Sequence, residues 1–220
     1  MGTDTMSANA MTTLIVLAKE CIPGKVKTRL YPAYTYDEAA LIASASLADT
    51  LAAVASLPAS RRILCFDGTI PPAGSEEYEI VPQVTGGLDE RIASALDACT
   101  GPTVLIGMDT PQITAALLNP IFGLWPDGVD AWFGPAADGG FWALALADPR
   151  GDLVRGVPMS RDDTGSIQRR RLIEANLEVR DLPELLDIDT ADDLQQVVAG
   201  IPGSSTAAIT RAITASRVRR

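Results

Sequence analysis

Phosphate-binding chemistry is the first reading of the stretch Lys19-Glu20-Cys21-Ile22-Pro23-Gly24-Lys25-Val26-Lys27-Thr28-Arg29-Leu30, which follows the apolar run 14–18. A buried strand that ends in a glycine-containing loop is where open α/β sheets bind ligands. Gly24 lets the backbone come close to a ligand. Lys25, Lys27 and Arg29 neutralise phosphate oxygens, Arg29 with the option of a bidentate fork. Thr28 is placed either to donate to phosphate or to cap the next helix. The chain carries a formal net charge of -10, so three cations within five residues run against its overall balance. A plain solvated basic loop is the alternative.

Carboxylates supply the complementary chemistry. Asp109 in Gly107-Met108-Asp109-Thr110-Pro111-Gln112 stands at the end of an apolar strand, before a proline that can open a helix. It suits a divalent ion, because Mg²⁺ and Mn²⁺ take oxygen ligands from one or two carboxylates and from substrate phosphates. Its alternative role is a helix cap. Asp138 in Gly134-Pro135-Ala136-Ala137-Asp138-Gly139-Gly140-Phe141 can orient a sugar or acceptor hydroxyl, or can simply fix an Asp-Gly hairpin turn. In Asp187-Ile188-Asp189-Thr190-Ala191-Asp192-Asp193, the first two acids share one side of an extended segment, and Asp189 is favoured as a second metal ligand. Thr190 and Asp193 fit a capping box. Gln83-Val84-Thr85-Gly86-Gly87, ahead of Leu88, Glu90 and Arg91, offers amides for a base or phosphate, with Glu90 and Arg91 equally readable as helix-surface charges.

These groups need a scaffold, and the periodicity supplies an alternation of strands and helices. Strands are expected over 13–18, 62–66, 78–81, 103–106, 129–133, 141–145 and 178–181. Helices are expected over 37–57, 88–98, 115–122, 165–175 and 191–198, with a terminal helix beyond Gly200, Pro202 and Gly203. Such alternation implies a three-layer α/β/α sandwich around a mostly parallel mixed sheet. One domain over 13–200 is expected, preceded by a disordered leader over 1–12 and followed by a helix or tail over 201–220. Arg211, Arg217, Arg219 and Arg220 read as a solvated end, Arg169-Arg170-Arg171 as a solvated helix face, and 160–164 as a mobile loop.

Composition excludes whole classes of chemistry. The 220 residues contain no histidine, which removes Ser-His-Asp and Cys-His catalysis and histidine-ligated zinc. Cys21, Cys65 and Cys99 are far apart and read as reduced thiols. The acidic balance argues against nucleic acid as a partner. No apolar run approaches the roughly 20 residues of a membrane span, and the polar start lacks the pattern of a signal peptide. A cytoplasmic enzyme is expected. The loop at Gly24-Lys25 fails the Walker A pattern, and no G-x-G-x-x-G follows the first strand.

The motifs in this order resemble the GT-A-fold (Rossmann-like) nucleotide-diphospho-sugar transferase superfamily. The chain is most similar to a bacterial glycosyltransferase family with K-x-P-x-x-G-x-V-K-T-R-L, then G-x-D-x-P, D-G-G-[FY] and a late D-x-D-T-x-x-D-L. The likeness spans residues 13–198 and extends to the molybdenum-cofactor and phospholactate guanylyltransferases. Cys21 replaces the usual proline, and Asp89 replaces a glycine of G-x-L-G-E-R. The resemblance implies that Lys19 to Arg29 wraps nucleotide phosphates. It implies that Asp109 binds a divalent cation, Mg²⁺ or Mn²⁺, bridging a diphosphate, and that Pro111 and Asp138-Gly139-Gly140-Phe141 border a sugar or acceptor pocket.

Three activities follow as expectations. The first is metal-dependent glycosyl transfer from a nucleotide-sugar donor to a small-molecule acceptor, with Asp109, Lys27 and Arg29 stabilising the leaving diphosphate and Asp138 as base. The second is nucleotidyl transfer from a nucleoside triphosphate to a phosphorylated small molecule, releasing pyrophosphate. The third is a nucleotide-sensing module without turnover. Assembly as a homodimer is left open.

Overall fold

The computed structural model describes residues 12–218; the expected leader, apart from Thr12, and the terminal Arg219 and Arg220 lie outside them. Thr12 is buried, and its carbonyl accepts from the Ser60 N–H.

Seven strands form one sheet: β1 (Thr13–Lys19), β2 (Arg61–Asp67), β3 (Glu79–Pro82), β4 (Thr103–Gly107), β5 (Ala131–Pro135), β6 (Phe141–Leu146) and β7 (Val179–Asp181). Their order is β3-β2-β1-β4-β6-β5-β7, and β6 alone runs against the rest. Among the described residues six α-helices accompany the sheet: α1 (Tyr36–Val54), α2 (Leu88–Asp97), α3 (Ala115–Phe122) and α4 (Thr164–Glu174), which pack on it, and α5 (Ala191–Gly200) and α6 (Ser205–Val218), which pack beside α1. This is the three-layer arrangement expected from the alternating pattern.

Alternation along the strands divides the core. Leu14, Val16, Leu64, Val104 and Ile106 pack with Leu47 and Leu51 of α1 and Leu118 and Ile121 of α3 on one face. Ile15, Ile63, Leu105, Phe133 and Leu144 pack with Ile92 and Leu96 of α2 and Leu172 of α4 on the other. A third cluster bears on the site: Leu30, Tyr34, Ile42, Ile188, Leu194, Val197 and Ile213 join the basic loop, α1, α5 and α6. Leu30 and Ile188 are completely buried there, which fixes their sequence neighbours Arg29, Asp187 and Asp189 toward one another.

The end of α1 and the start of β5 differ from the sequence expectation because of specific hydrogen bonds. α1 starts at a Thr35–Glu38 capping box and stops at Val54 rather than residue 57, because the Arg62 guanidinium donates to the carbonyls of Val54, Ala55 and Leu57 and so ends the helix. β5 begins two residues late because Val129 N–H bonds to Pro126 C=O in the preceding turn.

Several expected solvated segments are structural. α6 packs on α1, and Asp49 caps it, accepting from Ser205 N–H, Thr206 N–H and the Thr206 hydroxyl at 2.7–2.9 Å. Arg217 pairs with Glu38, donates to Ala33 C=O and lies over the Tyr34 ring. Of the α4 arginines, Arg169 pairs with Asp181, and Arg171 donates to Arg155 C=O.

Candidate functional site

The site lies at the carboxyl ends of the parallel strands, across the point where neighbours of β1 diverge to β2 on one side and β4 on the other. This is where an open α/β sheet leaves a crevice. A cleft of about 640 Å³ runs from Leu17, Lys19, Gln83 and Arg91 past Asp109 to Asp138, Phe141, Met159 and Arg161. A smaller polar recess of about 180 Å³ adjoins it, lined by Lys19, Lys25, Lys27, Thr28, Arg29, Met108, Asp109 and Asp189.

Three strand-end segments meet here through backbone hydrogen bonds. Ile188 N–H donates to Asp109 C=O at 3.2 Å, setting the late acidic segment beside the end of β4. Ala137 N–H donates to Leu185 C=O, and Leu185 N–H to Pro135 C=O, which sets the β5–β6 hairpin against the same segment. Thr190 and Asp193 form the capping box expected of α5, and Asp193 also accepts from Asp189 N–H. As a result, one carboxylate oxygen each from Asp138, Asp187 and Asp189 lies within 4.8 Å of the other two.

Gly24 takes φ +75°, with open space around its Cα, so its role is the turn itself. Lys27 is left-handed at φ 46°, uncommon for a lysine, and precedes a short 3₁₀ turn over Thr28–Leu30. Its side chain is only 6% exposed, and its ammonium lies 3.0 Å from Asp109 Oδ1 and 3.5 Å from Asp189 Oδ1. Arg29 holds Asp189 Oδ2 at 2.6 Å. Thus Lys27 and Arg29, read as phosphate ligands, are engaged with carboxylates in this structure. Lys19 and Lys25 line the recess and make no ion pair among the described residues.

The electrostatics follow from that crowding. Burial lowers the Lys27 pKa, but Asp109 and Asp189 outweigh it, so the ammonium is held more firmly than usual. Burial, reinforced by the charges of Asp138 and Asp189, lifts the Asp187 carboxyl from 3.8 to about 6. Asp187 Oδ1 is buried without a hydrogen-bond partner among the described residues. A buried, unpartnered carboxylate oxygen beside two further carboxylates is a fitting donor set for a hard divalent cation. Burial, with Asp109 adding, pushes the Cys21 thiol up to about 11, so it is no thiolate nucleophile at neutral pH.

Other residues singled out by sequence are placed differently. Gln83 lines the cleft, but its amide donates to Ala18 C=O and Cys65 C=O, bridging the ends of the paired strands β1 and β2. Arg91 donates to Gln83 Oε1, Asp67 and Gly86 C=O, which supports the 83–87 turn. Gly86 and Gly87 do not line the cleft, and Pro111 is buried outside it. Asp89, in place of the expected glycine, accepts from Gly156 N–H and ties α2 to the 151–157 segment. Gly140 lines the cleft, whereas Gly139 does not and serves packing. Gly139 has φ +88°, and a Cβ on it would lie 1.9 Å from Asp162 C=O. Gly165 N–H donates to Gly139 C=O at 2.7 Å. Asp138 Oδ1 accepts from Gly140 N–H at 2.7 Å, which fixes the carboxylate at the cleft.

The sequence reading missed Leu88, Ile92 and Met159, the apolar wall of the cleft, and left Asp187 behind Asp189. Asp187 was visible in the Asp-x-Asp alternation. The wall was not, because it combines α2 with a loop about 70 residues later.

Comparison with known proteins gives a family and a fold. The profile of a family described as uncharacterized proteins conserved in bacteria, DUF2064, matches residues 50–161, which include Asp109 and Asp138 but neither the basic loop nor Asp189. No curated protein matches the chain. A structure from Desulfovibrio desulfuricans G20, provisionally called a nucleotide-diphospho-sugar transferase, is 26% identical with a TM-score of 0.78, over 93% of this chain and 95% of that one. CMP:2-keto-3-deoxy-manno-octonic acid synthetase, solved with CTP, has a TM-score of 0.51 at 11% identity over 88% of this chain and 99% of its own. The 4-diphosphocytidyl-2C-methyl-D-erythritol synthase of Anaerococcus prevotii DSM 20548 has a TM-score of 0.51 at 9% identity over 88% and 97%. These two share the fold.

Proposed function

Because the chain belongs to the DUF2064 family of bacterial proteins and to the GT-A-like superfamily of glycosyl and nucleotidyl transferases, we propose that it is a divalent-cation-dependent glycosyltransferase. It moves a sugar from a nucleoside-diphosphate sugar to the hydroxyl of a small acceptor. The observation that carries this reading is a cleft with an adjoining recess: Lys19 and Lys25, without ion pairs among the described residues, line the recess with Asp109 and Asp189, and the cleft adds Asp138 and Asp187.

The lysines and Arg29 take the diphosphate. Asp187 and Asp189 of the acidic cluster, joined by Asp109 across the Lys27 ammonium, would hold the cation, Mg²⁺ or Mn²⁺, and when bound it would neutralise charge on the departing nucleoside diphosphate. Asp138 is the exposed member of the acidic group, and its Oδ2 makes no hydrogen bond among the described residues. It orients the acceptor hydroxyl and takes its proton as the oxygen attacks the anomeric carbon. Leu88, Ile92, Phe141 and Met159 give the same volume an apolar wall.

The test is product analysis with a panel of nucleotide-sugars, nucleoside triphosphates and acceptors, with Mg²⁺ or Mn²⁺. Release of a nucleoside diphosphate supports glycosyl transfer. Release of pyrophosphate from a triphosphate refutes it and assigns nucleotidyl transfer to the same cleft.

A further inference from the structure

We infer that Lys27 is a resident counter-ion that must leave Asp109 and Asp189 before a divalent cation binds them, so that cation and anionic donor load together. The inference rests on the proposed function of the cleft. It gives the Lys27 ammonium two successive partners, the carboxylates before loading and the donor's phosphate after it.

Lys27 is built into its place. Its side chain is 6% exposed, and its neighbours Val26 and Leu30 are buried anchors on either side. Its backbone is left-handed, which aims the side chain inward from an otherwise exposed loop. From there a single ammonium reaches carboxylates from two distant parts of the chain, at 3.0 Å and 3.5 Å. An ammonium has three donors, and two serve these carboxylates. The recess beside it is lined by Lys25 and Thr28, the position of an incoming phosphate.

Charge balance then couples the two ligands. A divalent cation arriving alone must approach Asp109 and Asp189 against the charges of Lys27 and Arg29. A diphosphate arriving alone must approach Lys27 against the carboxylates. When both arrive, the cation takes the carboxylates and the phosphate takes the ammonium, so each removes the obstacle to the other. By linkage the coupling is reciprocal: a nucleotide tightens the cation by the factor by which the cation tightens the nucleotide.

The experiment is Mn²⁺ binding, read from the loss of the free-ion electron paramagnetic resonance signal, with and without uridine, guanosine or cytidine diphosphate. It compares wild type, Lys27→Met and Lys27→Asn, the last because asparagine tolerates the left-handed backbone. Thermal melting selects the folded variants. In wild type, Mn²⁺ alone should bind weakly, and the matching diphosphate should tighten it. In the variants, Mn²⁺ alone should bind about tenfold tighter, the factor that corresponds to ~1.4 kcal/mol, and the diphosphate should add little. Variants that bind Mn²⁺ alone no better than wild type, while wild type retains its diphosphate coupling, would overturn the inference and leave the proposed function standing. A wild type that binds neither Mn²⁺ nor any diphosphate would overturn both.

Discussion

Replacing Asp187 by asparagine should stabilise the cation-free protein and remove much of the stabilisation that a divalent cation confers. Asp187 has a buried carboxylate oxygen without a partner, and burial with the charges of Asp138 and Asp189 lifts its carboxyl from 3.8 to about 6. At 1.36 kcal/mol per pKa unit, keeping it ionised at pH 7 costs about 3 kcal/mol at face value. The side chain retains contact with water, and screening reduces that figure to about 1–2 kcal/mol. In a chain of this size each kcal/mol moves the melting temperature by about 2–4 °C. Asp187→Asn should therefore melt about 2–8 °C higher than wild type at pH 7 in chelator. The folded pKa lies above the unfolded one, so the cost is present above about pH 6. It is relieved as wild type takes up a proton between pH 6 and 4, and the advantage of the variant should fade over that window. With Mn²⁺ at about 100 times its dissociation constant wild type should gain about 2.7 kcal/mol, and Asp187→Asn clearly less. Scanning calorimetry of both proteins, with chelator and with Mn²⁺, measures every quantity. A variant that melts below wild type in chelator, or that keeps the full Mn²⁺ shift, would refute the reasoning.

Three further outcomes follow from the same geometry. Asp109→Ala should lower cation-dependent turnover by about 10²-fold or more while the melting transition stays cooperative, because the carboxylate is 44% exposed and supports no core packing; kinetics and calorimetry on one preparation check both halves. Gly139→Ala should destabilise the fold by roughly 2–4 kcal/mol, since the added methyl meets Asp162 C=O in a backbone region that disfavours side chains; urea denaturation measures it. Asp49→Ala should cost about 1–2 kcal/mol by uncapping α6. Burial opposes ionisation of Asp49, but bonds from Thr206 and Ser205 outweigh it and depress its pKa below 3.8. Its contribution is therefore present at neutral pH and lost only as acid takes the protein through that depressed value, which an acid titration of stability in wild type and variant would show.

The fold was legible because its signals are local. Apolar strand runs such as 14–18 and 103–106, an Ala/Leu helix closed near Pro58, and the Thr190–Asp193 box each declare an element within a few residues. Errors arose where a distant group decided the boundary, as when Arg62 ended α1 three residues early. The positions of Asp109 and Asp138 at strand ends were legible for the same local reason. Their partners were not. Lys27 reads as a phosphate ligand until the fold brings Asp109 and Asp189 onto its ammonium, the latter from 162 residues away. Gly139 reads as room for a ligand until Asp162 is seen against it. Asp187 gains its raised pKa from burial first and then from Asp138, which the Ala137–Leu185 hydrogen bond draws beside it.

The most direct test of the central claim is a thermal-shift panel of nucleoside-diphosphate sugars, diphosphates and triphosphates, each with and without Mg²⁺ or Mn²⁺. The account predicts that one nucleotide-sugar and its diphosphate stabilise the protein, and do so only when the cation is present. Stabilisation that ignores the cation, or that only a triphosphate produces, would contradict it.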